Sequence, residues 1–514
     1  MVVAFLVACV SAFLFPAQVA SITVDNETNM FLDSQGRQRL WHGINIVNKV
    51  APFHPSLDVF APGQSVTDDD IKVLLSMGAS VVRLGIMMSG MFPDGPVLNK
   101  TYLEYSMRVA DKLHENGIGT LIDLHQDVLA AKVCGEGTPD WMLNVSSLNA
   151  MPLPRPASYA AVEIDPATGH PKSCQPLGPL KAIGWSEWYT TDQCGKAFAQ
   201  LYGLDSPMSK TFEAYWHAVA LQFKGHPGVV GYELLNEPWV GDHVGSPSLL
   251  LEAGRAEQGL LKDYMQRMHD VIRGVDKDAL ILYAPAEVNN RLMRRVGYER
   301  GFLPGAGMAY HVYCVVGTDG PGPTTPTQIK LCNYNDKSQM KQRQEDLARL
   351  GTAGFVTEFG AVDPVATGLA EMSFVLEHFE AMQPPSSWAF WDFSEIQRRS
   401  TEEKAAYVRT LARPYPRAVA GTLRSYSFDA SSALFQITFE PSSNRSLLTE
   451  VFLGTEHHYQ SGLNMSTTPS GALITQTTCY GVTLQIADEG FSGQEVTFTV
   501  SPANASLRVG TVFV

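Results

Sequence analysis

Basic side chains are scarce in this sequence. Its 514 residues hold 38 Lys and Arg against 52 Asp and Glu, a formal net charge of −14. That balance speaks against a nucleic-acid partner and against a polybasic membrane patch. Cysteine is sparse as well, and its seven copies form no C-x-x-C pair. With no H-E-x-x-H motif either, a metal centre has little support, and the metal set is read as empty. No Gly-rich phosphate fingerprint follows the first strand-like run, which weakens a dinucleotide-binding, doubly wound sheet. Beyond the first fifteen residues no apolar stretch has spanning length. Internal repeats and low-complexity tails are missing too.

What is present begins at the N-terminus. Met1 to Phe15 is apolar and uncharged, with small residues following at Ala17, Ala20 and Ser21. This reads as a secretory signal peptide over residues 1–20. It implies a secreted protein, or one delivered to a lysosomal or digestive lumen. Six cysteines remain, Cys134, Cys174, Cys194, Cys314, Cys332 and Cys479, and an even number in a secreted chain permits disulfides. Cys314 with Cys332 would close a loop. One pair is expected among Cys134, Cys174 and Cys194, and spacing does not select it. Sequons at Asn26, Asn99, Asn144, Asn444, Asn464 and Asn504 become candidate glycan sites in such a chain.

The length exceeds one ordinary core, so at least two domains are expected. From about residue 39 to 413, strand-like and helix-like runs alternate. Strands are expected at Leu40–Val47, Ser80–Leu84, Ile118–Leu124, Val229–Leu235, Ala279–Tyr283, Met308–Tyr313, Gly354–Thr357 and Ser387–Trp391. Eight such units predict an α/β fold, a (β/α)8 TIM barrel over residues 21–416. The first helix should be capped by Thr67, with Asp68–Asp70 in its first turn. A long Pro-containing stretch, about 125–206, interrupts the third unit, and a loop of that length is usually functional. After Pro414–Pro416 the pattern changes to short alternating runs, ending at Leu507–Phe513. This predicts a C-terminal antiparallel β-sandwich over 417–514.

Two strand ends carry the chemistry. The fourth run ends in Glu233-Leu234-Leu235-Asn236-Glu237-Pro238, the seventh in Thr357-Glu358-Phe359-Gly360. Pro238 keeps Glu237 out of helical geometry. Glu233 alternates differently and reads as structural. In a parallel barrel both tips face one mouth. Two carboxylates facing one another across a sugar are what glycosidic cleavage requires: one protonated acid, and one ionised nucleophile or base. Water and two carboxylates suffice, so no cofactor is implied.

These motifs, "LLNEPW" and "TEFG", resemble those of family-5 glycoside hydrolases. The resemblance implies retaining chemistry, with Glu237 as acid/base, Glu358 as nucleophile, and carboxyls about 5–5.5 Å apart. It also implies that Arg83 in "VVRLG" bonds the nucleophile. His125 in "DLHQD" and His311 with Tyr313 in "YHVYC" would line the floor. Asn236 would hold a sugar hydroxyl, and Trp391 in "WAFWD" would stack beneath the ring. "GINIVNKVAPF", "RLGIMMSGMFP", "DLHQDVLA" and "YELLNEPW" narrow the likeness to endoglycoceramidases, with Lys49, Asp127 and Trp185 contacting the glycan. The substrate implied is a glycosphingolipid at a membrane or micelle surface, cleaved between oligosaccharide and ceramide, and detergent or activator-protein dependence goes with that expectation. The alternative is a retaining β-glucosidase acting on glucosylceramide, a steryl glucoside or another β-glucoside. A non-catalytic glycan- or lipid-binding protein is a third reading, which the two carboxylates speak against. Ile86-Met87-Met88-Ser89-Gly90-Met91-Phe92 is expected to form an adaptable apolar surface for acyl chains at the mouth.

Overall fold

In the computed structural model, described for residues 21–144, 163, 165, 170–174, 184–314 and 322–503, eight parallel strands close into a barrel. They are His42–Ile46, Val81–Gly85, Gly119–Asp123, Val229–Glu233, Leu280–Tyr283, Gly307–Val312, Gly354–Gly360 and Ser387–Trp391. The last pairs with the first, Trp388 opposite His42. The expected leader at 1–20 and the strand expected at 507–513 lie outside the described residues. The seventh strand runs further than expected and takes Glu358 inside it.

Helices cover the barrel because each unit supplies an amphipathic return. Asp68–Ser76 starts at a capping box: the Thr67 hydroxyl accepts from the Asp70 amide while Asp70 accepts from the Thr67 amide. Such a cap contributes about 1 kcal/mol. Lys100–Glu115 buries Leu103, Ala110 and Leu113, as its spacing predicts. The helix of the fourth unit, Leu260–Val275, follows a short 3-10 turn at Ala256–Gln258. The fifth unit has only the short helix Glu287–Arg291 before the next strand.

The barrel interior is layered by the two-residue period of its strands. Val81, Leu121 and Phe355 belong to an apolar plug that Phe31 and Trp41 join. Trp41 stacks on Phe355 at 6.1 Å between ring centroids. Two residues further along the same strands come Arg83, Asp123 and Thr357, all buried. Inward-facing positions thus change from apolar to polar on the way to the C-terminal mouth, and the polar layer is the floor of the site.

Two antiparallel sheets follow. One has seven strands, in the order Thr23–Asp25, Met30–Leu32, Gln38–Arg39, Tyr415–Val419, Thr449–Phe452, Gly481–Ile486 and Leu473–Thr477; the other has four, Gly421–Asp429, Leu434–Pro441, Val496–Pro502 and Leu463–Thr468. Val451 and Leu484 of the first share a core with Phe435, Ile437 and Phe498 of the second. Residues 23–39 precede the barrel in the chain yet pair with the C-terminal sheet. A division at residue 416 therefore does not separate the two sets of strands. These N-terminal strands are two or three residues long, too short to show a period. A buried ion pair joins the two parts. Arg413 contacts Glu380 of the barrel helix Ala366–Ala381 at 2.5 Å and donates to the Phe428 carbonyl at 2.6 Å. The Phe428 amide donates to Glu380 at 3.1 Å.

Disulfides join Cys134 to Cys174 and Cys314 to Cys332. The second is the loop closure expected, and the first is the pair that spacing left open. Cys194 stays a buried thiol.

Candidate active site

Arg83 organises the floor. It rises from the second strand with no exposed surface, and its guanidinium is fully engaged. Nε and Nη2 donate to Glu233 at 2.7 and 2.9 Å, and Nη1 donates to Asn45 at 2.9 Å and to Glu358 at 2.6 Å. Nη2 also donates to Asn236 Oδ1 at 2.8 Å and lies 3.1 Å from Asp123. A planar fork with fixed donors is suited to holding several carboxylates at once. Burial pushes Glu233 up from the usual carboxylate range, with Arg83 opposing it. The second oxygen of Glu358 accepts from the Tyr313 hydroxyl at 2.8 Å.

Glu237 sits just past the fourth strand, at φ +38°. That left-handed conformation is uncommon for a non-glycine residue, and such strain collects at functional sites. His311 Nδ1 lies 2.9 Å from Glu237 Oε1 and 3.5 Å from Glu358 Oε2. Ligating atoms of Glu237, His311 and Glu358 all fall within 4.8 Å of one another. Burial alone would lower the His311 imidazole, but Glu358 and Glu237 outweigh it and raise it to about 9. A cationic imidazole therefore lies against both carboxyl groups. The same three groups have the spacing of a metal site. A protonated imidazole offers no lone pair at Nδ1, so a metal would first have to displace that proton.

The remaining candidates gather beside this pair. Lys49 forms an ion pair with Asp127 and lies 2.9 Å from Glu136. Asp127 is 3.2 Å from His125 Nε2, and His125 Nδ1 is 2.7 Å from Asp123. Burial would lower His125, yet Asp127 and Asp123 raise it to about 9. Asp127 is in turn held below its ordinary range by Lys49 and His125, against the effect of burial. Trp391 is half-buried. It stacks on His125 at 5.2 Å and 15°, with Lys49 Nζ 4.9 Å from its ring centroid. Asn236 turns its amide inward, its Nδ2 donating to the Gln126 carbonyl at 3.0 Å. Trp185 lies on the 3-10 segment Gly184–Thr190, and its side chain is outside the described residues.

Several site residues were not singled out from sequence. Asp123 lies in the quoted "DLHQD" motif, and only the fold reveals its contact with both Arg83 and His125. Gln126, from the same motif, donates to the Asn236 carbonyl at 2.7 Å and the Glu237 carbonyl at 3.2 Å, fixing the acid-bearing turn. Glu287 donates its backbone amide to the Pro238 carbonyl at 2.9 Å. The methionine segment requires a correction. Ile86, Met87, Met88, Met91 and Phe92 are all buried, at 3% exposure or less. Ile86, Met88, Met91 and Phe92 belong to the core between barrel and helices, Met87 is buried with no exposed surface, and the segment offers no acyl-chain surface. An apolar run in a loop does not reveal which way it turns.

Comparison with known proteins agrees with this geometry. Residues 53–396 match Cellulase (glycosyl hydrolase family 5), and residues 413–500 match the Glycoside hydrolase family 5 C-terminal domain. An endoglycoceramidase of Cyanea nozakii is 30% identical over 497 residues, covering 93% of each chain. One of Hydra vulgaris is 31% identical over 473 residues, covering 89% of this chain and 86% of that protein. The solved structure of endo-glycoceramidase II from Rhodococcus sp. in complex with ganglioside GM3 has the same fold. Its TM-score is 0.68 at 22% identity, over 92% of this chain and 99% of that one. The chain thus belongs to glycosyl hydrolase family 5, in its endoglycoceramidase-like branch, and is a retaining glycoside hydrolase.

Proposed function

We propose that this enzyme cleaves the β-glycosidic bond between oligosaccharide and ceramide in glycosphingolipids and releases the oligosaccharide intact. The observation that carries the reading is the carboxyl pair. Glu237 and Glu358 approach within 4.8 Å, in a chain that is similar to endoglycoceramidases over nearly its full length. That separation suits the double-displacement route and leaves no room for the water that inversion needs.

Glu358 attacks the anomeric carbon while Glu237 protonates the departing ceramide oxygen. A glycosyl-enzyme forms, and Glu237 then takes a proton from the water that hydrolyses it. Arg83 and Tyr313 aim the nucleophile. Trp391 is the stacking surface under the reacting sugar, and Lys49, Asp127, His125, His311, Asn236 and Trp185 hold its hydroxyls directly or through one another. Entry to the secretory route through residues 1–20 is part of the same proposal. The two disulfides support it. So is dependence on detergent or an activator protein, which a comparison of turnover with and without detergent tests.

The test is product mass. Purified protein incubated with a ganglioside should yield one intact oligosaccharide and ceramide. Release of glucose alone, and only from glucosylceramide, would contradict the endo reading.

A further inference from the structure

The barrel distributes its exposed apolar side chains unevenly. Among the described residues, the large apolar side chains left exposed on the barrel fall on the segments leading from a strand to its helix, or on the first half of that helix. Leu221, in the last turn of its helix, and Leu292, which follows the short helix Glu287–Arg291, are the exceptions. The most instructive are Phe60, Val97, Trp141, Leu251 and Val365, between 38% and 82% exposed. They follow the first, second, third, fourth and seventh strands respectively. In a parallel barrel those segments ring the C-terminal mouth, where Glu237 and Glu358 lie. No helix among the described residues is long and apolar enough to cross a membrane.

We propose that this ring of separate apolar tips seats the catalytic mouth on an uncharged or zwitterionic lipid surface by shallow insertion. The inference rests on the glycosphingolipid reading and adds where the protein meets the lipid. A lipid layer is a better fit than a second copy of the chain. The tips stand on five different segments, and a fluid acyl boundary accepts scattered side chains, whereas a stable protein interface needs a continuous, well-packed patch. The net charge of −14 removes general attraction to anionic lipid as the driving force. Binding should then depend on apolar burial and little on lipid charge.

The experiment uses the full chain and phosphatidylcholine vesicles free of glycolipid. Wild type should co-sediment. The triple variant Phe60→Asp, Val97→Asp, Leu251→Asp should partition about tenfold less or weaker still. It should cleave glycosphingolipid embedded in vesicles correspondingly more slowly, yet hydrolyse a water-soluble aryl β-lactoside at the wild-type rate. Leu221→Asp should change none of these. Vesicle binding by the triple variant equal to wild type, or no wild-type binding without glycolipid, overturns the proposal. A wild-type dimer in lipid-free solution that the triple variant converts to monomer assigns the tips to a second copy and overturns it too. Wild type that binds vesicles but leaves embedded glycosphingolipid intact sinks the substrate reading while the docking surface stands.

Discussion

At the scale of single residues, the arrangement around Glu358 makes separable demands. Tyr313 supplies one short bond to one carboxylate oxygen. Tyr313→Phe should keep the fold and lower kcat by roughly 10–100-fold with little change in KM, because the lost bond orients the nucleophile and does not bind substrate. Steady-state kinetics on a soluble glycoside checks this, and an unchanged kcat would remove Tyr313 from the machinery. Arg83 is different. It is buried and serves Glu233, Asn45, Asn236 and Glu358 at once. Arg83→Met should leave those acids uncompensated and cost about 3–5 kcal/mol of stability, read as a fall in urea midpoint. Glu237→Gln should bind substrate analogue as wild type does while turnover falls by about 10²–10⁴-fold. Lost binding with an intact fold would contradict the acid/base role.

At the scale of elements, the helices Pro326–Leu350 and Ala366–Ala381 hold a second acid pair away from the site. Asp336 and Glu371 are both buried. Burial raises Asp336 to about 7, and burial together with Asp336 raises Glu371 well above the usual carboxylate range. Folded values above the unfolded ones, near 4, mean that the neutral acids favour the fold. Their stabilisation is complete below about pH 4 and is lost as pH rises through about 7. Thermal melts should therefore give a higher Tm at pH 5 than at pH 8. Asp336→Asn should shrink that difference and raise the pH 8 Tm by roughly 1–3 °C. A variant as pH-sensitive as wild type would place the titration elsewhere. No pattern in the sequence announces this pair, because its members meet only when two helices 30-odd residues apart pack side by side. The Thr67 cap was legible because both partners lie within three residues. The methionines of the second strand's loop were misread for the opposite reason: their chemistry is local, but their direction is a tertiary fact.

At the scale of the whole molecule, eight strand-helix units could be counted before any coordinates, since each buried strand is a short apolar run with a clear end. The two catalytic candidates were legible as strand ends, and the likeness in their flanking residues sharpened the reading. What could not be read was how the two parts of the chain lock together. That needs the N-terminal strands in the C-terminal sheet and the Arg413–Glu380 pair capped by Phe428. Ending the chain after Pro416 strips Glu380 of its Phe428 amide donor and removes most of the seven-stranded sheet. Such a truncation should be insoluble or should melt well below the full chain. A soluble truncation of unchanged Tm would show that the sandwich does not stabilise the barrel.

The measurement closest to the centre is covalent trapping. Incubated with a 2-deoxy-2-fluoro β-lactosyl fluoride, the enzyme should gain the mass of one fluorolactosyl group, and peptide mapping should locate it on Glu358. An adduct on another residue, or rapid turnover with inversion at the anomeric carbon and no adduct, would contradict the assignment of Glu358 as the attacking group.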